Sequence, residues 1–272
     1  MKKTIISIIS LIVVVISFIL INHLQLYYQP AQSMSSYPIK QFYKDDTTRI
    51  LFMGDSWAAY HHEYDNHLAD IISSQTERPC KVKSVGYVGA KSKEIYERLF
   101  TTSKQHILNN PDYCIISAGI NDAVAKMGPN YYITNYILLI KFLVNNNITP
   151  VIIDMPDIDY HSVYKKENWI AKVRHQISSI ITGSDFYSFH TYRIALLKTI
   201  AESEWSDSII YLSTEKWRKD KDYFGLFRED RIHLNKAGYR KLDKELAAII
   251  IKNPPKEIYQ RYIPQVTKII DN

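Results

Sequence analysis

Residues 49–57 read Arg-Ile-Leu-Phe-Met-Gly-Asp-Ser-Trp, a short run of large apolar side chains that ends in a glycine, an acid and a hydroxyl. A half-exposed strand alternates apolar and polar residues, whereas RILFM is apolar on both faces and so belongs in a sheet covered on each side. Four later segments are read as strands with it: Lys81 to Val85, Tyr113 to Ser117 (YCIIS), Pro150 to Asp154 (PVIID) and Ser208 to Ser213 (SIIYLS). Helical patterns lie near 57–74, 91–108, 131–145, 167–182, 189–204 and 236–252. Buried strands alternating with helices predict an α/β fold, a doubly wound, mostly parallel five-stranded sheet flanked by helices in three layers. No internal repeat is visible.

The chain has 272 residues, of which 46% are hydrophobic, 12% aromatic and 23% charged, with 8 glycines and 10 prolines. That composition excludes disorder and collagen-like repetition. Two cysteines cannot build a disulfide framework or a structural zinc site. The net charge of +6 is spread along the chain without a Lys/Arg block, so nucleic acid is not an expected partner.

After Met-Lys-Lys, Thr4 to Ile21 form an apolar run (TIISIISLIVVVISFILI), and no charged residue appears before Lys40. Eighteen helical residues reach about 27 Å, close to a bilayer core of about 30 Å. The segment is read as an N-terminal transmembrane helix over 1–28, in preference to a cleaved signal peptide, whose apolar core is shorter. Lys2 and Lys3 then hold the N-terminus in the cytoplasm and place the rest of the chain outside the plasma membrane; the alternative is secretion after cleavage. Residues 29–47 read as a tether, 48–253 as the folded domain, and 254–272 as a C-terminal surface extension.

In such a sheet, reactive groups gather where strands end at their carboxyl edge. Gly54-Asp55-Ser56-Trp57 follows the first strand, Gly86-Tyr-Val-Gly89 the second and Gly119-Ile-Asn121-Asp122 the third, and Asp230-Arg-Ile-His233 follows the fifth after a loop. Singly, each is an ordinary turn or helix cap. Together they fit one chemistry. A serine hydroxyl becomes a nucleophile when a neutral imidazole takes its proton, and a carboxylate fixes that imidazole's tautomer. The oxyanion formed by attack needs donors already aimed at it. The Ser56 and Gly89 backbone amides and the Asn121 side chain can supply them.

This four-part pattern resembles the SGNH hydrolases, also called the GDSL esterase/lipase family, over roughly Arg49 to Leu242. The resemblance implies Ser56 as nucleophile, Asp230 and His233 as its partners, and Asn121 as an oxyanion donor. The family glycine maps best onto Gly89, with Gly86 as the second registration. Trp57 departs from the family's usual leucine, and the stretch 160–207 exceeds a minimal member, which predicts an added cap.

Other constellations are assigned less chemistry. The cluster His61-His62-Glu63-Tyr-Asp65-Asn-His67 lacks metal-ligand spacing and reads as a solvated helix face. Trp57, Asp154 and Tyr223 are the candidates for substrate binding, and Trp217, Tyr223 and Phe224 for stacking on sugar rings. The resemblance implies a sheet in which the second and third strands flank the first, so a bridge from Cys80 to Cys114 would cross a strand and both are expected to stay free thiols. No nucleotide, metal or other cofactor motif is present. The resulting expectation is a membrane-tethered extracytoplasmic serine esterase acting on O-acyl groups, such as O-acetyl groups of an acylated carbohydrate. The alternatives are an O-acyltransferase onto an envelope polysaccharide and a non-catalytic polysaccharide-binding protein on the same fold.

Overall fold

A computed structural model describes residues 2–33, 45–100, 111–158, 164–183, 189–219 and 221–254; for 2–3 and 21–26 only the backbone is described. Five strands form one sheet: β1 (Thr48–Gly54), β2 (Cys80–Gly86), β3 (Tyr113–Ser117), β4 (Thr149–Ile153) and β5 (Ile210–Leu212). Their order is β2-β1-β3-β4-β5, and every pairing is parallel. The chain steps from β1 to β2 in one direction, then crosses back to β3, so the winding reverses beside β1. Clefts for ligands open at that reversal, on the carboxyl edge.

The hydrophobic pattern explains the burial. Ile50, Leu51, Phe52 and Met53 in β1, all of β3, and Val151 to Ile153 in β4 are buried, as expected of strands covered on both faces. Right-handed crossovers put α3 (Asp65–Thr76) on one face and α4 (Ser92–Arg98), α6 (Pro129–Asn145) and α8 (His190–Ala201) on the other. α10 (Lys236–Lys252) returns to pack on α3. Its buried Tyr239, Leu242, Leu246, Ala247 and Ile250 follow the three-and-four spacing of an amphipathic helix.

The helix expected over 57–74 is two helices: α2 (Ser56–His61) and α3, joined by a 3-10 turn at His62–Tyr64. The stretch 160–207 holds two helices. α8 is the β4–β5 crossover and buries Tyr192, Leu196 and Ile200 beside α6, so this part completes the layer. α7 (Trp169–Thr182) is additional to it. Remaining short helices are α5 (Ile120–Val124) and α9 (Glu215–Arg218). Residues 159–163 and 184–188 of the expected cap, and 255–272 of the expected extension, lie outside the described residues.

The N-terminal segment is one helix, α1 (Lys2–Tyr28). Its side chains from Ile5 to Leu20 are exposed and apolar apart from Ser7, Ser10 and Ser17. Among the described residues no helix is long and apolar enough to cross a membrane. The segment after α1 returns to the domain: the Ala31 amide donates to Asn135 Oδ1 at 2.8 Å, and Lys93 Nζ donates to the Gln29 carbonyl at 2.8 Å. Cys80 and Cys114 are free, with β1 between their strands.

Candidate active site

Ser56 occupies the first position of α2, directly after β1. Asp55 caps that helix, its Oδ1 accepting the Trp57 amide at 3.0 Å. The Asp55 amide donates to the Ser117 carbonyl at 3.0 Å, which locks the turn to the end of β3. Burial pushes the Asp55 carboxyl up to about 7, against the hydrogen bonds from Trp57 and Ser117.

The Asp230–His233 turn meets this serine from 177 residues downstream. His233 Nε2 lies 2.9 Å from Ser56 Oγ, and His233 Nδ1 lies 2.7 Å from Asp230 Oδ2. The other Asp230 oxygen accepts the amides of Ile232 and His233, both at 2.9 Å. Burial opposes ionisation of Asp230, but these amides and the imidazole outweigh it and hold the carboxyl below its ordinary value. Arg231, inside the turn, adopts φ 57°, a left-handed backbone that costs a non-glycine residue energy and folds the acid back onto the imidazole. Asn235 secures the other side: its Oδ1 caps α10 through the Ala237 and Gly238 amides, and its Nδ2 donates to the Gly225 and Phe227 carbonyls. An asparagine directly before the helix was the sequence signal for that role.

Trp57 sits 1% exposed, and its indole N–H donates to the Ile232 carbonyl at 3.0 Å. It therefore ties the nucleophile's helix to the turn carrying the imidazole and does not line the site. Tyr239 hydroxyl adds a bond to the Trp57 carbonyl at 3.0 Å. The Tyr60 ring stands edge-on to the His233 ring at 5.1 Å, with the Arg228 guanidinium over Tyr60 at 4.5 Å.

The two glycines of the second block have different surroundings. A Cβ on Gly86 would meet the Ala59 amide nitrogen at 1.9 Å, so this glycine lets α2 lie against β2. Gly89 adopts φ +77°, a backbone that side-chain-bearing residues rarely adopt, and a Cβ there would meet only open space. The third block holds that loop. Asn121 Nδ2 donates to the Ala90 carbonyl at 3.0 Å. Asp122 accepts the Ser92 amide at 2.9 Å and its hydroxyl at 2.6 Å. One Asn121 N–H is thereby fixed, which aims the second. Burial pushes Asp122 up to about 6 despite the bonds from Ser92.

The two other substrate-binding candidates differ. Asp154 is buried, its Oδ1 2.9 Å from Arg193 Nε and its Oδ2 3.3 Å from Arg218 Nη1, at the floor of a surface pocket that Asp157, His190 and Tyr211 also line. Tyr223 is also buried, its hydroxyl donating to the Asp157 carbonyl at 2.9 Å while its ring packs on Phe224 and Phe227. Of the three aromatics proposed for sugar stacking, Trp217 and Tyr223 are core residues and Phe224 is exposed. The histidine cluster is a solvated face only at His62, Glu63 and Asn66. His61 is fully buried, its Nε2 2.6 Å from Asp243 and its Nδ1 2.7 Å from Ser84 Oγ, and His67 Nδ1 lies 2.6 Å from the other Asp243 oxygen. Asp243, 182 residues away, gave the local sequence no sign of this. Among the described residues no group of acids, histidines and cysteines could hold a metal ion.

Residues 52–241 match the model of the GDSL-like lipase/acylhydrolase family. The chain belongs to that family. Among solved structures it is similar to a protein described as lipolytic, of the G-D-S-L family, from Desulfitobacterium hafniense DCB-2, at 14% identity and TM-score 0.51 over 74% of this chain and 99% of that one. It is also similar to a protein described as an acylhydrolase from Bacteroides fragilis NCTC 9343, at 15% identity and TM-score 0.50 over 81% and 94%. Comparison with curated proteins finds no match. These likenesses give the fold, and the family gives the chemistry: this GDSL-type hydrolase is a serine hydrolase acting on ester bonds.

Proposed function

We propose that this GDSL-type hydrolase is a membrane-tethered, extracytoplasmic esterase that removes O-acyl groups, such as O-acetyl, from a carbohydrate through an acyl-enzyme on Ser56. The observation that carries the mechanism is the chain of contacts from Ser56 Oγ to His233 Nε2 at 2.9 Å and from His233 Nδ1 to Asp230 at 2.7 Å. The Ser56 oxygen attacks the ester carbon while His233 takes its proton. The negative oxygen that forms is held by the Ser56 and Gly89 amides and the free N–H of Asn121. His233 returns the proton to the departing sugar hydroxyl, leaving an acyl-serine. Water, deprotonated by the same imidazole, then releases the acid. Asp230 stays ionised throughout, keeping the imidazole in the right tautomer and stabilising its charged form.

Phe224 supports a sugar substrate: it is exposed, and the guanidinium of Arg231, inside the Asp230–His233 turn, lies 5.1 Å from its ring centre, which puts an aromatic side chain beside that turn. The tether reading is supported by the sequence itself, the apolar run Thr4 to Ile21 behind Lys2 and Lys3. The test of the chemistry is hydrolysis of p-nitrophenyl acetate. Ser56→Ala is expected to lose roughly 10⁶-fold in kcat; hydrolysis at the wild-type rate would refute the assignment. Acetylated sugars incubated with the enzyme should lose acetate to water, and mass gain on an added sugar acceptor would replace the esterase with the transferase.

A further inference from the structure

α7 is amphipathic in the inverted sense. At about 100° per residue, Trp169, Ile170, Val173, Ile177, Ile180 and Ile181 fall within about 120° of its circumference. An apolar stripe of this width ordinarily faces a protein core, yet here it faces outward, with Trp169 73% and Ile180 83% exposed. The polar side faces inward. His175 is buried with its Nδ1 3.1 Å from Glu167, and the Thr182 hydroxyl donates to the Lys126 carbonyl at 3.0 Å.

Two observations indicate what covers the stripe. The first is the end of α1, where the Tyr28 hydroxyl donates to Ser178 Oγ on the inner side of α7 at 2.5 Å. If α1 is the anchor, its last turn lies at the bilayer surface, and α7 is bonded to that turn. The second is charge. No acidic residue occurs in α7, which carries Lys172 and Arg174, and Lys165 and Lys166 precede it; the acid between them, Glu167, is turned to His175. An apolar stripe flanked by cations is the pattern of a helix lying in an anionic lipid interface.

We infer that the outward apolar face of α7 rests in the lipid surface beside α1, holding the hydrolase domain against the membrane. This rests on the tether reading above. The same end of α1 touches the Gly89 loop, with Lys91 Nζ 5.4 Å from the Tyr27 ring centre, so a fixed α7 also fixes that loop relative to the bilayer.

The test reconstitutes the full-length protein in phosphatidylglycerol vesicles with or without bromine on the acyl chains, which quenches tryptophan on contact. The emission difference between wild type and Trp169→Phe isolates Trp169. Bromolipid is expected to lower that difference by about half or more, and the drop should vanish in an Ile177→Glu, Ile180→Glu background. An unchanged difference in a chain that floats with the vesicles after alkaline washing overturns this inference and leaves the anchor standing. A chain that washes off overturns the anchor instead. A dimer in mild detergent that Ile180→Glu dissociates, without quenching, would make a second copy the occupant and overturn the lipid assignment.

Discussion

Asn121 holds the Ala90 carbonyl at 3.0 Å with one N–H, and the proposed mechanism assigns its second N–H to the oxyanion. Asn121→Ala should therefore lower kcat by about 10²–10³-fold with little change in KM, because the interaction strengthens in the transition state; a pure rise in KM in steady-state kinetics would argue for ground-state binding. Asp55 is the residue with a pH signature. Burial raises its folded value to about 7, above the 3.8 of the unfolded chain, so the folded state holds the proton more tightly. The resulting stability is complete below about pH 4, is lost as pH rises to about 7, and is flat beyond. Denaturant midpoints of wild type relative to Asp55→Asn should trace that fall; a difference independent of pH would show that Asp55 ionises normally. The chain of contacts from Ser56 through His233 to Asp230 was legible in sequence because Ser56 follows a strand and the other two share a tight turn. The work of Trp57 was not, since its partner, the Ile232 carbonyl, is a backbone atom 175 residues away.

At the level of elements, α2, α3, β2 and α10 meet around Asp243, which receives His61 and His67 at 2.6 Å each. Burial works against the charged form of His61, but the carboxylates of Asp243 and Asp65 outweigh it and raise its pKa. Ser84 lies 2.7 Å from His61 in a serine–histidine–acid geometry, but its hydroxyl donates to Asp65 Oδ1 and not to the imidazole, so Ser84 is not the nucleophile. Asp243→Asn removes the buried carboxylate that His61 and His67 share and should cost about 3–5 kcal/mol by urea denaturation; a loss below about 1 kcal/mol would mean the cluster contributes little to stability. The sheet's strands were readable from their apolar runs, β3 to the residue and β5 less well, since only Ile210–Leu212 pairs with β4. The break between α2 and α3 was hidden because His61, Asp65 and Leu68 keep a helical spacing across it. For α7 the period was visible and the direction was not: periodicity reports that a helix has two faces, while packing decides which one turns inward.

Across the whole molecule, a parallel sheet delivers the Ser56 and Asn121 blocks to one edge at the carboxyl ends of β1 and β3, and the loop after β5 brings His233 onto Ser56. Net charge and composition carried none of this; order along the chain and the position of each motif after its strand carried it. The most direct measurement is reaction of the intact protein with a fluorophosphonate, which traps an activated serine as a stable phosphonyl ester, followed by peptide mass spectrometry. One adduct on Ser56 is predicted in wild type, with none in Ser56→Ala and strongly slowed labelling in His233→Ala. An adduct on Ser84, or undiminished labelling of Ser56→Ala, would contradict the assignment of the nucleophile.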